Sequence, residues 1–414
     1  MDDNFLQQSV TVMGLGYIGL PTASLLATRG FQVRGVDVNP EVVETINRGD
    51  IHIVEPELDV LVRSAVQSGQ LSASLEPAPA DVFILAVPTP FGDNKVPDLS
   101  YVEAATRRMA DVLQPGNLVI LESTSPVGTT EKVAQWIAEA RPDLAGNRIY
   151  IAHCPERVLP GRIIQELVNN DRVVGGLNEP STEAATAFYR QFVTGEVLAT
   201  NARTAEMAKL TENTFRDVNI ALANELSMIC DTLSIDVWDL IALANRHPRV
   251  NILTPGPGVG GHCIAVDPWF IVDSAPEQSR LVRMARIVND SKPEHIINQV
   301  RDRASRLRDP VIACLGLAYK ADVDDMRESP AMRITQALAQ EKLGRILAVE
   351  PYGRRGLPNE LADLGVEHTT VEQAMEQADV LVLLVAHRQF RRLPRAPLQQ
   401  KMVVDACGLL SLLQ

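Results

Sequence analysis

Val10-Thr11-Val12-Met13 is an apolar run of strand length that passes directly into Gly14-Leu15-Gly16-Tyr17-Ile18-Gly19. A helix-like stretch continues to about Arg29, and a second strand-like run, Val33 to Val38, carries Asp37 near its end. Strand, GxGxxG, helix, strand and acid in this order specify a βαβ unit built to receive a dinucleotide. The first glycine permits a tight turn, the second clears room for a pyrophosphate, and the third lets helix and strand pack closely. The helix then presents its unbonded first N–H groups to the phosphates. Gly14, Gly16, Tyr17, Ile18, Gly19 and Asp37 are therefore candidate cofactor-binding residues. A carboxylate at Asp37 hydrogen-bonds ribose hydroxyls and repels a 2′-phosphate, which favours NAD over NADP.

Two further strands end in polar loops: Asp81 to Val87 leads to Pro88-Thr89-Pro90, and Leu118 to Leu121 leads to Glu122-Ser123-Thr124-Ser125-Pro126-Val127-Gly128. Ligands of doubly wound sheets lie at the carboxyl ends of strands, so Thr89 and Thr124 are placed to touch the cofactor. Ordinary turn hydroxyls look the same in sequence. The last third repeats the alternation of apolar strands and helical patterns, with strands at Val311–Leu315, Arg345–Val349, Asp379–Val385 and Met402–Asp405. It lacks GxGxxG. Lys320 and Arg327, flanking Asp324-Asp325, suit a phosphate or are solvated charges. At 414 residues two or three domains are expected, and the charged stretch from Arg301 to Pro310 is the best boundary candidate.

Between these units, Arg203 to Leu233 contains no Pro or Gly, and Leu210, Val218, Leu222, Ile229 and Leu233 recur at helical spacing. Lys209, Asn213 and Arg216 fall on one stripe. Such a stripe is equally a solvated face or an ammonium and an amide aimed at a substrate oxygen. Downstream, Pro255-Gly256-Pro257-Gly258-Val259-Gly260-Gly261-His262-Cys263 is a shaped loop that ends in a thiol, with Asp267 four residues on. Two more loops hold ambiguous charges: Glu156 and Arg157 in His153 to Gly161, and His247 with Arg249.

The net charge of −13 makes the chain a poor binder of nucleic acid or anionic membrane. No apolar run approaches the ~20 residues of a membrane span, and the start Met1-Asp2-Asp3-Asn4 lacks the basic residues of a signal peptide. Five cysteines without a CxxC pair suggest neither a disulfide frame nor a zinc site, and no metal is expected. A reducing cytoplasm fits such thiols.

The motifs together resemble the UDP-sugar 6-dehydrogenases of the UDP-glucose/GDP-mannose dehydrogenase family, in particular their UDP-N-acetyl-D-mannosamine branch. The resemblance rests on the GxGxxG run with Leu20-Pro21, Ser123 to Gly128, Pro155-Glu156-Arg157-Val158-Leu159-Pro160-Gly161, Ala205 to Asn213, Gly260-Gly261-His262-Cys263 and Arg327-Glu328-Ser329-Pro330. It implies an α/β chain with two Rossmann-like parallel-sheet domains joined by a central helical domain with one long helix. The boundaries are residues 1–200 for NAD binding, 201–305 for a central dimerisation domain carrying the cysteine loop, and 306–414 for UDP-sugar binding. It also implies a homodimer and two NAD+ per turnover. C6 of a UDP-N-acetylhexosamine is taken from alcohol to carboxylate, through a thiohemiacetal and a thioester on Cys263.

By the same resemblance Lys209 and Asn213 stabilise the C6 oxygen, Asp267 positions Lys209 or water, and Glu156 assists hydrolysis. Arg157, Val158, Arg216, His247, Arg249, Gly260 and Lys320 hold the substrate, as Lys209 and Asn213 do, and Arg327 reaches the cofactor. Pro160 stands where the UDP-glucose branch carries a second glutamate, which counts against that substrate. A UDP-N-acetylglucosamine dehydrogenase is the nearest rival. A two-electron 3-hydroxyacid dehydrogenase is a more distant one, set apart by the cysteine loop and the third domain.

Overall fold

The computed structural model describes residues 8–92, 95–144, 149–159, 161–261, 263–353, 356–398 and 400–413. Pro160 and His262, both in motifs quoted above, lie outside them. The chain divides into two compact units, one of Met1–Glu212 with Trp269–Pro276, the other of Asn213–Pro268 with Glu277–Gln414. The helical segment 201–305 is thus shared between them.

The first unit is built on eight strands: β1 (Ser9–Met13), β2 (Gln32–Val36), β3 (Leu71–Ser74), β4 (Val82–Leu85), β5 (Leu118–Leu121), β6 (Tyr150–His153), β7 (Arg172–Gly176) and β8 (Val197–Asn201). Their order is β3-β2-β1-β4-β5-β6-β7-β8. All pairs are parallel except β6 with β7. β4 and β5 are buried at every position because helices cover both faces of a parallel sheet. Alternate side chains feed two cores: Val82 and Ile84 enter one with Val10 and Val12, and Phe83 and Leu85 enter the other with Val119 and Leu121. Strand order reverses between β1 and β4, so the crevice at their carboxyl ends is the expected ligand position.

The second unit contains a wholly parallel five-stranded sheet, β9 (Val311–Leu315), β10 (Arg345–Val349), β11 (Glu367–His368), β12 (Val380–Leu383) and β13 (Met402–Asp405), in the order β11-β10-β9-β12-β13. Its turn after β9 is sealed from within. Glu350, just past β10, accepts the N–H groups of Leu317 and Ala318 at 2.7 and 3.0 Å, and His387 lies 3.3 Å from the same oxygen. The turn after β9 is thus held by a carboxylate that follows the neighbouring strand, as Asp37 after β2 holds Leu15 N in the first unit.

The long helix spans Ala202–Leu233, 32 residues and ~48 Å. Its second-unit portion inverts the usual amphipathic rule. Thr214, Asp217, Ala221, Asn224, Ser227 and Cys230 are buried, while Phe215, Leu222, Ile229 and Leu233 are exposed, Phe215 at 69%. The inner stripe faces another helix, Arg280–Ala304, whose Arg286, Asn289 and Lys292 are also buried. Polar groups tolerate this because they bond one another across the helix pair: Lys292 Nζ donates to Ser227 Oγ at 2.5 Å, and Asn224 Nδ2 to Asn289 Oδ1 at 2.9 Å.

Candidate functional site

In the first unit the three glycines of the fingerprint are required for three different reasons. Gly14 has φ +93°, and a Cβ there would sit 2.6 Å from the Ala86 carbonyl oxygen. A Cβ on Gly19 would lie 1.8 Å from the Gly14 oxygen, so no other residue lets the helix Gly19–Thr28 approach β1. Nothing lies within 4 Å of the Gly16 position, which leaves an open cradle over the first turn of that helix. Tyr17 is exposed and Ile18 half-buried beside it. Asp37 follows β2, its Oδ2 accepting from Leu15 N at 3.1 Å and its Oδ1 from Asn39 N at 2.9 Å. The open cradle at Gly16, the N-terminal end of the helix Gly19–Thr28 beside it and the carboxylate at the second strand fit an NAD molecule.

Across the switch point the loops after β4 and β5 are tied together. Thr89 Oγ1 donates to the Thr124 carbonyl at 2.5 Å, and Ser123 Oγ to the Val87 carbonyl at 2.7 Å. The Thr89 hydroxyl therefore shapes the rim of the crevice. The residue that locks this rim was not singled out by sequence. Glu206, on the long helix, is 1% exposed and accepts three bonds: Gly128 N at 2.6 Å, Thr130 N at 2.7 Å and Thr130 Oγ1 at 2.6 Å. It caps the helix Thr129–Ala140 and couples the Ser123–Gly128 motif to the Ala205–Asn213 motif, one turn before Lys209. Burial raises the Glu206 pKa, and the three donors oppose that rise. Glu206→Ala is expected to cost about 2–3 kcal/mol in urea unfolding, since it strands the buried Thr130 amide and hydroxyl and the half-buried Gly128 amide. Lys209 itself is half-buried.

Glu156 and Arg157 do not pair with each other. Glu156 is 6% exposed, its Oε2 2.7 Å from Arg172 Nη1 and its Oε1 accepting from Arg157 N at 2.6 Å. Arg157 turns to Glu212, with Nη2 2.6 Å from Oε1 and Nε donating to Oε2 at 3.1 Å. Val158 packs on the first core. Glu55, which also escaped notice, holds this loop through Gly161 N at 2.9 Å and Ile163 N at 2.8 Å. Arg172 completes a buried group: its guanidinium lies 5.7 Å from the centre of the Tyr189 ring, and Tyr189 Oη donates to Glu122 at 2.8 Å. Burial, then the charge of Glu156, pushes Glu122 up to about 7. Burial alone drives His153, on β6, down to about 3, so its ring is neutral at all working pH.

In the second unit Cys263 is the one exposed cysteine of five. Its carbonyl accepts from Val266 N at 3.0 Å and Asp267 N at 2.9 Å, which sets the thiol at the head of the helix Asp267–Ser274. Asp267 is 3% exposed and accepts from Asn213 Nδ2 at 2.5 Å. Thiol, carboxylate and amide are therefore joined by backbone and side-chain bonds in one unit. Gly260 is required for packing: a Cβ would fall 2.4 Å from the Glu328 carbonyl and 2.7 Å from Pro330. Arg216, His247 and Arg249 are exposed, the last two on a loop closed by Asn245, whose amide donates to Ile252 O at 3.0 Å and accepts from Ile252 N at 2.7 Å. Lys320 is exposed, and Arg327 forms a two-bond fork with Asp325 at 2.9 and 2.7 Å. No group of three His, Cys, Asp or Glu arranged to hold a metal occurs among the described residues. No helix among them is long and apolar enough to cross a membrane.

The chain matches the NAD-binding domain of the UDP-glucose/GDP-mannose dehydrogenase family over residues 8–193, its central domain over 203–291 and its UDP-binding domain over 313–411. It is 58% identical to an NDP-N-acetyl-D-galactosaminuronic acid dehydrogenase of Ralstonia nicotianae, over 98% of this chain and 96% of that one. It is 54% identical to the UDP-N-acetyl-D-mannosamine dehydrogenase of Escherichia coli K12, over 97% and 98%. Among solved structures, the UDP-D-ManNAc dehydrogenase of Pyrococcus horikoshii superposes with a TM-score of 0.86 at 40% identity, covering 97% of this chain and 96% of that one.

Proposed function

The chain belongs to the UDP-glucose/GDP-mannose dehydrogenase family and is an NAD-dependent UDP-sugar dehydrogenase, and from that premise we propose that it oxidises C6 of UDP-N-acetyl-D-mannosamine to the carboxylate by way of Cys263. The observation that carries this reading is the exposed thiol at the head of a helix, bonded through Asp267 to Asn213.

NAD, held by Gly14, Gly16, Tyr17, Ile18, Gly19 and Asp37, supplies the hydride acceptor, twice per sugar. Lys209 and Asn213, four residues apart on one helix face, donate to the C6 oxygen where negative charge develops. The C6 alcohol would give its proton to neutral Lys209 as its first hydride leaves, which yields the aldehyde and the Lys209 ammonium. Cys263 Sγ, as thiolate, then adds to the aldehyde carbon, and Lys209 returns the proton to the oxygen, forming a thiohemiacetal. Loss of that proton and of a second hydride leaves a thioester. Water then attacks the acyl carbon, the C–S bond breaks, and the thiolate is restored with release of the acid. Asp267 orients Asn213 through its bond to the amide. Glu156, with both oxygens engaged, acts here by shaping the loop that carries Arg157 and Val158. Arg216, His247, Arg249, Gly260 and Lys320 are assigned to the nucleotide sugar, and Arg327 to the cofactor.

The 58% identity to the Ralstonia enzyme favours a second reading, an N-acetylgalactosamine nucleotide, which differs from the mannosamine compound at both C2 and C4. NADH formation with UDP-N-acetylmannosamine, UDP-N-acetylglucosamine, UDP-N-acetylgalactosamine and UDP-glucose decides. The mannosamine compound is expected to give the highest kcat/KM and two NADH per sugar. One NADH per sugar would remove the four-electron reaction.

The exposed Phe215, Leu222 and Ile229 recur every seven residues, the spacing of a helix seam, and are the surface a second copy covers in a homodimer. Leu222→Glu is expected to halve the mass seen by light scattering. A wild-type monomer would sink the assignment.

A further inference from the structure

A buried polar chain crosses the second unit and ends on the backbone of the cysteine loop. Arg286 is 1% exposed and Asp217 fully buried, with Arg286 Nη1 donating to Asp217 Oδ1 at 2.6 Å. The same oxygen accepts from Asn289 Nδ2 at 2.8 Å, and the Asp217 carbonyl accepts from that nitrogen at 3.1 Å. Asn289 Oδ1 accepts from Asn224 Nδ2 at 2.9 Å, and Asn224 Oδ1 accepts from Gly256 N at 2.9 Å. The order cation, carboxylate, amide, amide, loop N–H leaves one arrangement of donors and acceptors. Asp217 is an acceptor only, so Asn289 must present its nitrogen there and its oxygen to Asn224, which must then turn its own oxygen to Gly256.

We propose that Asn224 and Asn289 are positioning residues for Cys263, acting through the Gly256 N–H. The proposal rests on the reading of Cys263 as the nucleophile. Beyond Gly256 the loop has little freedom to re-seat itself. Gly258, at φ +143°, has its Cβ position 3.1 Å from Pro330 and 3.3 Å from Pro293, and that of Gly261 is 3.0 Å from the Tyr319 ring. A loop anchored at Gly256 and pressed against Pro293, Tyr319 and Pro330 delivers Cys263 to one place at the head of its helix. A shift of about 1 Å at a reacting atom costs on the order of a hundredfold in rate. Purely apolar packing between the two helices would stabilise them equally well without orienting the loop.

Asn224→Leu in the full-length enzyme removes the acceptor, and Gly256→Pro independently removes the donor. Each is expected to lower kcat at least tenfold with the KM for NAD within twofold. Each is also expected to slow alkylation of Cys263 by iodoacetamide about fivefold, after subtracting the signal of Cys263→Ala. Gly256→Ala, which keeps the N–H, recovers the alkylation rate that Pro loses. Should Asn224→Leu fail to fold, the Pro and Ala pair at Gly256 decides. Alkylation and kcat at wild-type levels in Gly256→Pro or in a folded Asn224→Leu would overturn the proposal. Alkylation reads the loop without turnover, so acid formation by Cys263→Ala would refute the nucleophile while leaving the loop measurement intact.

Discussion

Cys263→Ala is expected to bind NAD with unchanged affinity and to lose at least about a thousandfold in the rate of acid formation, as removal of a nucleophile does elsewhere. The reason lies in the second oxidation. An aldehyde carbon carries a hydrogen that leaves as hydride only after a nucleophile has added, and in the proposed mechanism that nucleophile is the Cys263 thiolate. The competing route is hydration of the aldehyde, which also creates a carbon able to give up hydride. Quantifying acid and NADH separately distinguishes the two. Loss of acid with at most one NADH per sugar supports the covalent route, whereas acid at near wild-type rate means that water suffices and Cys263 is a bystander.

The cofactor half of the site was legible in the sequence because its chemistry is local. GxGxxG and Asp37 lie within one βαβ unit, and the Gly19 contact with the Gly14 oxygen is internal to it, whereas the Ala86 carbonyl that crowds Gly14 comes from the next strand and Gly16 is met by nothing within 4 Å. The Cys263 loop was legible for the same reason, since its Gly and Pro content excludes regular structure. What escaped were residues whose role depends on distant partners. Glu206 and Gly128 are 78 positions apart, and Glu55 and Gly161 are 106 apart. No spacing rule reaches that far, although Glu206 belongs to the Ala205–Asn213 motif. The long helix shows a different gap. Hydrophobic periodicity located it, but Leu222 and Ile229 mark its exposed side, and the buried stripe is Asp217, Asn224 and Ser227. Polar residues at core positions signal a specific hydrogen-bonded partner, which one helix read in isolation does not disclose.

Arg172→Met is expected to destabilise the enzyme by about 3–5 kcal/mol, because it removes one partner of a buried ion pair and leaves the other charged in the interior. Arg172 stands between two carboxylates: Glu156, at 2.7 Å, and Glu122, whose pKa burial and the Glu156 charge push up to about 7. A carboxyl whose folded pKa exceeds its unfolded value of about 4.3 holds its proton more tightly when folded, so it costs stability as pH rises from about 4.3 to the folded pKa. Glu122 alone makes the wild-type enzyme lose stability between about pH 4.5 and 7. Glu122→Gln keeps an acceptor for Tyr189 and removes the titration, so its stability relative to wild type is expected to rise by about 1–3 kcal/mol between pH 5 and pH 8. Without the Arg172 cation the Glu122 carboxyl climbs further, so the deficit of Arg172→Met is larger at pH 8 than at pH 5. Adding Glu156→Gln recovers part of it, because the stranded charge is gone. Urea unfolding of the four proteins at the two pH values tests the whole cluster. A deficit in Arg172→Met that is below about 1 kcal/mol, or independent of pH, would mean that water already reaches these groups.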